Sequence, residues 1–289
     1  MEANRPTTVL FLTDLHIGSR WGLWYPKEGC NSIQTKLLEY WIKLCKHLIK
    51  IRPDVIFLLG DIIDPPSHSR NRSAVSGLNE QLDCALSLLR MIPRNKCSSL
   101  VGLIGSGNFG REYLECNQRL CQVLGGKFYG TTGIFNFSGH NFRVYHGTTM
   151  AYIYLELVMG RRRTFAQEAI ARKTLPEIEG IICGHSHRWL HMRTMWRDGK
   201  DFNVVLCPGW EGQTDAMMMR DPDKMIPEIG AVVGRFSRQT VDFHCIRYPT
   251  PLGVSKPVGG NFTRSRARST QRGGHPPRSS RGSEELPST

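Results

Sequence analysis

Residues 54–64, DVIFLLGDIID, carry five consecutive apolar residues into a polar stretch that begins with Gly60 and Asp61. A short apolar run that stops at a turn signal predicts a strand buried on both faces, as in a parallel sheet covered by helices. TVLFLTDLH (8–16) and SLVGLIGSGNF (99–109) follow the same plan. Apolar residues at helical spacing predict amphipathic helices at 33–51, 76–92 and 113–124. Strand and helix therefore alternate in the first part of the chain, which indicates an α/β fold.

The pattern changes from residue 127. KFYGTTGIFNFSGHNFRVYHG (127–147) alternates apolar and polar residues between glycine-containing turns, which predicts a β-meander. A helix with the basic run Arg161–Arg163 follows, and after it come strands in IEGIICGHSH, HMRTMWR and FNVVLCPGW and a hairpin near 229–247. Together these elements predict an α/β/β/α sandwich, two mixed sheets flanked by helices, over residues 1–249. Residues 250–289 contain almost nothing apolar and are predicted to form a disordered Arg/Gly/Ser/Pro-rich tail.

The chain is strongly basic, with a net charge of +13, and residues 250–289 alone hold seven basic and two acidic side chains. Such a surface favours nucleotides, nucleic acid or acidic headgroups as partners, although a solvated basic surface explains the charge equally well. Nine cysteines without a CxxC pair indicate reduced thiols rather than a disulfide framework. The start of the chain lacks a signal-peptide pattern, and no apolar run approaches the ~20 residues that span a bilayer. We therefore expect a soluble, cytoplasmic protein without membrane insertion.

Polar side chains follow five of the predicted strands, and carboxyl ends of strands in an open α/β sheet line one crevice. Each residue taken singly could be a turn, a cap or a structural histidine, but the whole set at five strand ends predicts a functional site. Mixed carboxylate, imidazole and amide donors suit Mn²⁺, Fe²⁺ or Zn²⁺ better than Ca²⁺. The candidate metal ligands are Asp14, His16, Asp61, Asn108, His146, His185 and His187.

In this order, D-x-H, G-D-x-x-D, G-N, a single His and G-H-x-H resemble the motifs of the calcineurin-like metallophosphoesterase superfamily over residues 8–248. The resemblance implies two divalent ions, most readily Mn²⁺, and attack on phosphorus by a hydroxide held between them. It implies one ion held by Asp14, His16, Asp61 and His187. It implies a second ion held by Asp61, Asn108, His146 and His185, with Asp61 bridging. The catalytic residues implied are Asp61, Asp64, Asn108 and His146.

The chain departs from the superfamily pattern at Phe109, where relatives usually carry the His of G-N-H-D or G-N-H-E. In many relatives that His, paired with the residue matching Asp64, protonates the leaving group. An active enzyme is one interpretation, since a low-pKa leaving group needs no acid there and His68, Arg111 or Glu112 could replace it. A degenerate enzyme and an altered loop are the others. The complete set of metal ligands favours the active enzyme.

Substrate contacts are predicted at Arg70, Arg72, Arg111 and Arg161, with Arg162 and Arg163 beside the last. WGLWYP (21–26) could stack a nucleic-acid base or form a packed aromatic segment. The leading prediction is hydrolysis of a phosphodiester or pyrophosphate bond in a nucleotide or nucleic acid, bound through the basic face and tail. A catalytically inactive metal-bound module that binds nucleic acid is the alternative. A protein phosphatase is less favoured, because Asp64 is followed by two prolines rather than Arg-Gly.

Overall fold

A computed structural model describes residues 5–26, 29–64, 77–94, 98–103, 111–147, 155–195, 199–214 and 226–251. All of them belong to one compact unit that ends at Gly253. Apart from its first two residues, the predicted tail lies outside this description. The elements in chain order are β1 (Thr7–Leu12), α1 (Ser32–Ile51), β2 (Val55–Leu58), α2 (Leu78–Arg90), β3 (Ser99–Gly102), α3 (Arg111–Val123), β4 (Lys127–Phe128), β5 (Thr132–Phe137), β6 (His140–Tyr145), α4 (Leu155–Ala171), β7 (Gly180–Cys183), β8 (Leu190–Met195), β9 (Asp201–Leu206), β10 (Ile229–Phe236) and β11 (Val241–Tyr248).

Helix α1 shows how local sequence sets these bounds. Asn31 caps its first turn by accepting from the backbone N–H of Gln34, whose side chain bonds back to the Asn31 backbone, so the two form a capping box. The helix ends at Ile51, and Arg52, which caps it, takes a left-handed conformation directly before Pro53. Its buried face, including Leu37, Trp41 and Leu44, packs on the first sheet.

The first sheet has the strand order β11-β10-β1-β2-β3-β4, and the second has the order β5-β6-β7-β9-β8. Strands β1 to β4 run parallel, with β10 and β11 added antiparallel at one edge. In the second sheet β6, β7 and β9 are parallel, and β5 and β8 are antiparallel edges. Both sheets are mixed, as predicted.

The predicted β-meander is wrong. Strand β4 pairs with β3 in the first sheet, while β5 and β6 form a hairpin in the second sheet. Strand β7 then lies parallel to β6, and a parallel pair requires a crossover, which α4 supplies. The alternating pattern correctly indicated strands but could not indicate which sheet each one joins.

The core consists of three apolar layers, one between the two sheets and one on the outer face of each sheet, and this confirms the predicted α/β/β/α sandwich. Alternate residues of β1 face opposite ways: Val9 and Phe11 contact the second sheet, whereas Leu10 and Leu12 face the helices of the first. Helices α1, α2 and α3 cover the outer face of the first sheet. Ala166 of α4 packs on the outer face of the second. Within the described residues, the helices are too short or too polar to cross a membrane.

Candidate metal centre

Six of the seven candidate ligands lie together beyond the carboxyl ends of four strands. Asp14 and His16 follow β1, Asp61 follows β2, His146 follows β6, and His185 and His187 follow β7. Their donor atoms form two overlapping groups, each with all atoms within 4.8 Å of one another, and Asp14 belongs to both. One group is Asp14, Asp61, His146 and His185; the other is Asp14, His16 and His187. The seventh, Asn108, lies outside the described residues, as do Phe109 and the rest of its loop.

The backbone at five of these ligands is left-handed, a conformation that costs a non-glycine residue free energy and that clusters at functional sites. The φ angle is 53° at Asp14, 44° at His16, 49° at Asp61, 66° at His185 and 48° at His187. Alternation along a strand would put Asp14 and His16, and likewise His185 and His187, on one face of an extended segment, but in the structure turns bring each pair together. The Asp14 N–H donates to Gly60 O at 3.0 Å and the His16 N–H to Asp61 O at 3.0 Å, so the two loops hold each other.

The carboxylate of Asp14 is fully buried and has one oxygen fixed and one unsatisfied. Its Oδ2 accepts from the Thr13 hydroxyl at 2.6 Å and from the His185 N–H at 2.9 Å. Its Oδ1 has no hydrogen-bond partner among the described residues. Instead it faces the Nε2 atoms of His187 at 3.3 Å, His146 at 3.7 Å and His16 at 3.8 Å. A buried oxygen surrounded by imidazole nitrogens fits a bound cation, because burial without a partner is otherwise costly.

The ring of His146 is oriented from behind by the first sheet. Its Nδ1 lies 2.9 Å from the carbonyl of Leu59, which can only accept a hydrogen bond, so Nδ1 carries the proton. Its Nε2 then faces Asp61 Oδ2 at 3.0 Å and His185 Nδ1 at 3.1 Å. A backbone carbonyl that fixes the tautomer is the usual support of a metal-binding histidine.

Sequence reasoning missed Tyr113, which reaches the other oxygen of Asp61. The buried Tyr113 hydroxyl donates to Asp61 Oδ1 at 3.3 Å from the first turn of α3. Burial and the charge of Asp61 raise the pKa of Tyr113 well above its usual value, so the phenol stays protonated. In the sequence this tyrosine occupies an ordinary apolar position of an amphipathic helix, and no local signal distinguishes it.

Glu211 was also missed, and with Asp64 it flanks His16. Asp64 Oδ1 lies 3.7 Å from His16 Nδ1, and Glu211 Oε2 lies 3.7 Å from His16 Nε2. The Ser19 hydroxyl donates to Glu211 Oε1 at 3.0 Å, which holds that carboxylate in place. Asp64, predicted as a catalytic residue, is thus placed where it can orient His16. Glu211 lies in a loop after β9, where a single acidic residue carries no recognisable pattern.

The charges in this cluster suit a divalent cation. Although burial opposes ionisation, the surrounding histidines hold the pKa of Asp14 and the pKa of Asp61 below the usual range. Burial likewise opposes protonation of His16 and His146, but neighbouring carboxylates raise the pKa of both. Burial lowers the pKa of His185 to about 4, which leaves its ring neutral near pH 7. The two carboxylates are therefore ionised and His185 is neutral, which are the states in which these groups bind metals.

Most of the predicted substrate contacts lie outside the part of the chain whose side chains the structure describes. Arg70 and Arg72 lie outside the described residues, and Arg111 begins α3 with its side chain undescribed. Arg161 is exposed on α4. In the aromatic segment, Trp21 and Trp24 are only 5% and 6% exposed and belong to the core beneath the first sheet, as the packed alternative predicts, whereas Tyr25 is 40% exposed.

The sequence matches no family model and no curated protein. Solved structures with a similar arrangement include a novel archaeal phosphodiesterase, 10% identical, with a TM-score of 0.43 over 83% of this chain and 99% of that one. A dimetal phosphatase from Danio rerio is 14% identical, with a TM-score of 0.41 over 84% and 100%. Vps29 complexed with Zn²⁺ from Entamoeba histolytica is 12% identical, with a TM-score of 0.38 over 83% and 98%. At such similarity the function has to be derived from the site itself.

Proposed function

We propose that this chain is a dinuclear-metal phosphoesterase that hydrolyses a phosphodiester or pyrophosphate bond. The observation that carries the proposal is a cluster of six carboxylate and imidazole donors, four of them buried and two partly buried, in two groups that share Asp14. The resemblance of the motifs adds Asn108 as a seventh donor and implies Asp61 as the bridge, whereas the residue that the two donor groups of the structure share is Asp14. Mn²⁺ is the first choice of metal, with Fe²⁺ and Zn²⁺ also compatible with the donor set.

The ligands and the residues that contact them have different roles in this proposal. When bound, the two ions supply an attacking hydroxide at neutral pH and neutralise phosphate oxygens during in-line displacement. The protein holds the donors in a buried cluster, where Thr13 orients Asp14 and Leu59 O orients His146. Asp64 and Glu211 hold His16 between them. Asp14, His146 and His16 are therefore oriented by contacts with the protein and not by an ion alone.

The substrate class follows from the missing histidine at position 109. General acid catalysis contributes about 10²–10⁴-fold where a leaving group needs a proton. A nucleotide or phosphorylated leaving group needs that proton less, which favours diesters and pyrophosphates over alkyl monoesters. The net charge of +13 supports a nucleotide or nucleic-acid substrate, with the basic tail adding salt-sensitive attraction.

The test is turnover by the full chain after chelation and reloading with Mn²⁺ or Zn²⁺. Substrates are bis-p-nitrophenyl phosphate, p-nitrophenyl phosphate and a pyrophosphate-linked dinucleotide. Metal-dependent turnover that Asp61→Asn abolishes, and that the exposed control Asp83→Asn retains, supports the proposal. Metal binding without turnover on any substrate would contradict it and favour a metal-bound binding module.

A further inference from the structure

Helix α3 contributes one polar group to the candidate metal centre, and this group does not belong to the ligand motifs. Tyr113 is 2% exposed, and its hydroxyl points at Asp61 rather than at solvent. Its helix is anchored in the core through Leu120 and Cys121. One turn after Tyr113, the buried Asn117 side chain donates to the Tyr113 carbonyl at 2.9 Å. The hydroxyl is therefore presented by a rigid element.

The two oxygens of Asp61 have different neighbours. Oδ2 lies 3.0 Å from His146 Nε2 and 4.0 Å from His185 Nδ1, so it is the oxygen that faces the other donors. Oδ1 takes the hydrogen bond from Tyr113 at 3.3 Å. A carboxylate that can turn about its Cβ–Cγ bond would otherwise present either oxygen, or both, to the ions.

We propose that Tyr113 is a positioning residue that fixes which oxygen of Asp61 faces the metal ions, an inference that rests on the proposed function. Tyr113 is not placed to donate a proton to a leaving group, because its hydroxyl is buried and already directed at a carboxylate. Its hydrogen bond withdraws charge from Oδ1 and restrains the carboxylate, so Oδ2 alone meets the ions. Removing a group that hydrogen-bonds to a metal ligand typically lowers the metal affinity about 10–100-fold.

The experiment compares Tyr113→Phe with wild type and with Tyr40→Phe. Phenylalanine keeps the ring and removes only the hydroxyl. Tyr40 is a matched control, because it is also a buried tyrosine on a helix, α1, but its ring stacks on Tyr248. Each full-length protein is stripped with chelator and titrated calorimetrically with Mn²⁺ and with Zn²⁺. Unfolding in chelator is measured alongside, to separate a loss of fold from a loss of binding.

We expect Tyr113→Phe to bind metal about 10–100-fold more weakly and Tyr40→Phe to bind as wild type, with similar unfolding of both variants in chelator. Wild-type affinity in Tyr113→Phe, with wild type itself binding metal, would overturn the inference and leave the proposed function standing. A lower affinity matched by an equal loss of stability in chelator would also overturn it, because the role would then be purely structural. A wild-type chain that binds neither metal would overturn the proposed function first.

Discussion

Thr13→Val should weaken metal binding without disturbing the fold. The Thr13 hydroxyl donates to Asp14 Oδ2 at 2.6 Å, and both residues are fully buried. Valine keeps nearly the same shape, so the substitution removes the hydrogen bond and little else. Among the described residues, the His185 N–H at 2.9 Å is then the remaining donor to that oxygen. With one of its two supports gone, the carboxylate is freer to turn Oδ1 away from the three histidines.

The magnitude follows from the charge of the acceptor. A hydrogen bond to an ionised group contributes about 1.5–3 kcal/mol net, more than a bond between neutral groups. If most of that is expressed as lost orientation of Asp14 toward the ions, affinity should fall roughly 10- to 150-fold, at about 1.4 kcal/mol per tenfold. The stability of the unliganded chain should fall as well, because the buried Asp14 carboxylate loses a donor there too.

The assay is competition for Zn²⁺ against a chelator of known affinity, with Thr7→Val as the control. Thr7 begins β1, at the opposite end of the strand from Thr13 and the ligands, and its hydroxyl forms a hydrogen bond with the Ser138 hydroxyl at 2.8 Å, a pair of neutral groups. Thr7→Val should leave affinity unchanged. If folded Thr13→Val binds Zn²⁺ within about threefold of wild type, less than a charged hydrogen bond supplies, the reasoning about Asp14 is wrong.

Three further perturbations test other parts of the structure. In Gly184→Ala the added methyl would overlap the Thr13 hydroxyl, so denaturant titration should show a loss of about 1–3 kcal/mol. Gly160→Ala, in open space on α4, should instead gain about 0.5–1 kcal/mol; equal losses in both would contradict the crowding argument. Glu211→Gln, which removes a charge 3.7 Å from His16, should lower metal affinity about tenfold by calorimetry; unchanged affinity would exclude a role in the centre. Finally, metal at 100 times its Kd should stabilise the chain by about 2.7 kcal/mol, seen as a rise in Tm that excess chelator reverses. A Tm indifferent to metal would count against a site in the native chain.

The strand ends could be predicted from sequence because parallel strands place their carboxyl ends together. Apolar runs stop at polar residues in a fixed order, and the fold converts that order into proximity for Asp14, Asp61, His146 and His187. The sandwich was equally predictable, since the apolar runs need covering on both faces.

What could not be predicted depends on contacts between distant segments. In the sequence, Tyr113 occupies one of the apolar positions of α3. Its hydroxyl reaches Asp61 only because of the way that helix packs. Thr13 reads as the last residue of a strand. Strand β4 is only two residues long, too short for its pairing with β3 to leave a pattern.

The bond from His146 to the carbonyl of Leu59 joins the second sheet to the first directly behind the centre. Each half of the sandwich thus brings part of the ligand set, and the Phe57, Phe137 and Phe142 layer between them sets their spacing. These aromatic residues have no chemical role, but they determine the distance between the two parts of the ligand set. A substitution that shortens one of them should therefore change the spacing of the ligands as well as the stability of the chain, and the preference among metals should shift with it.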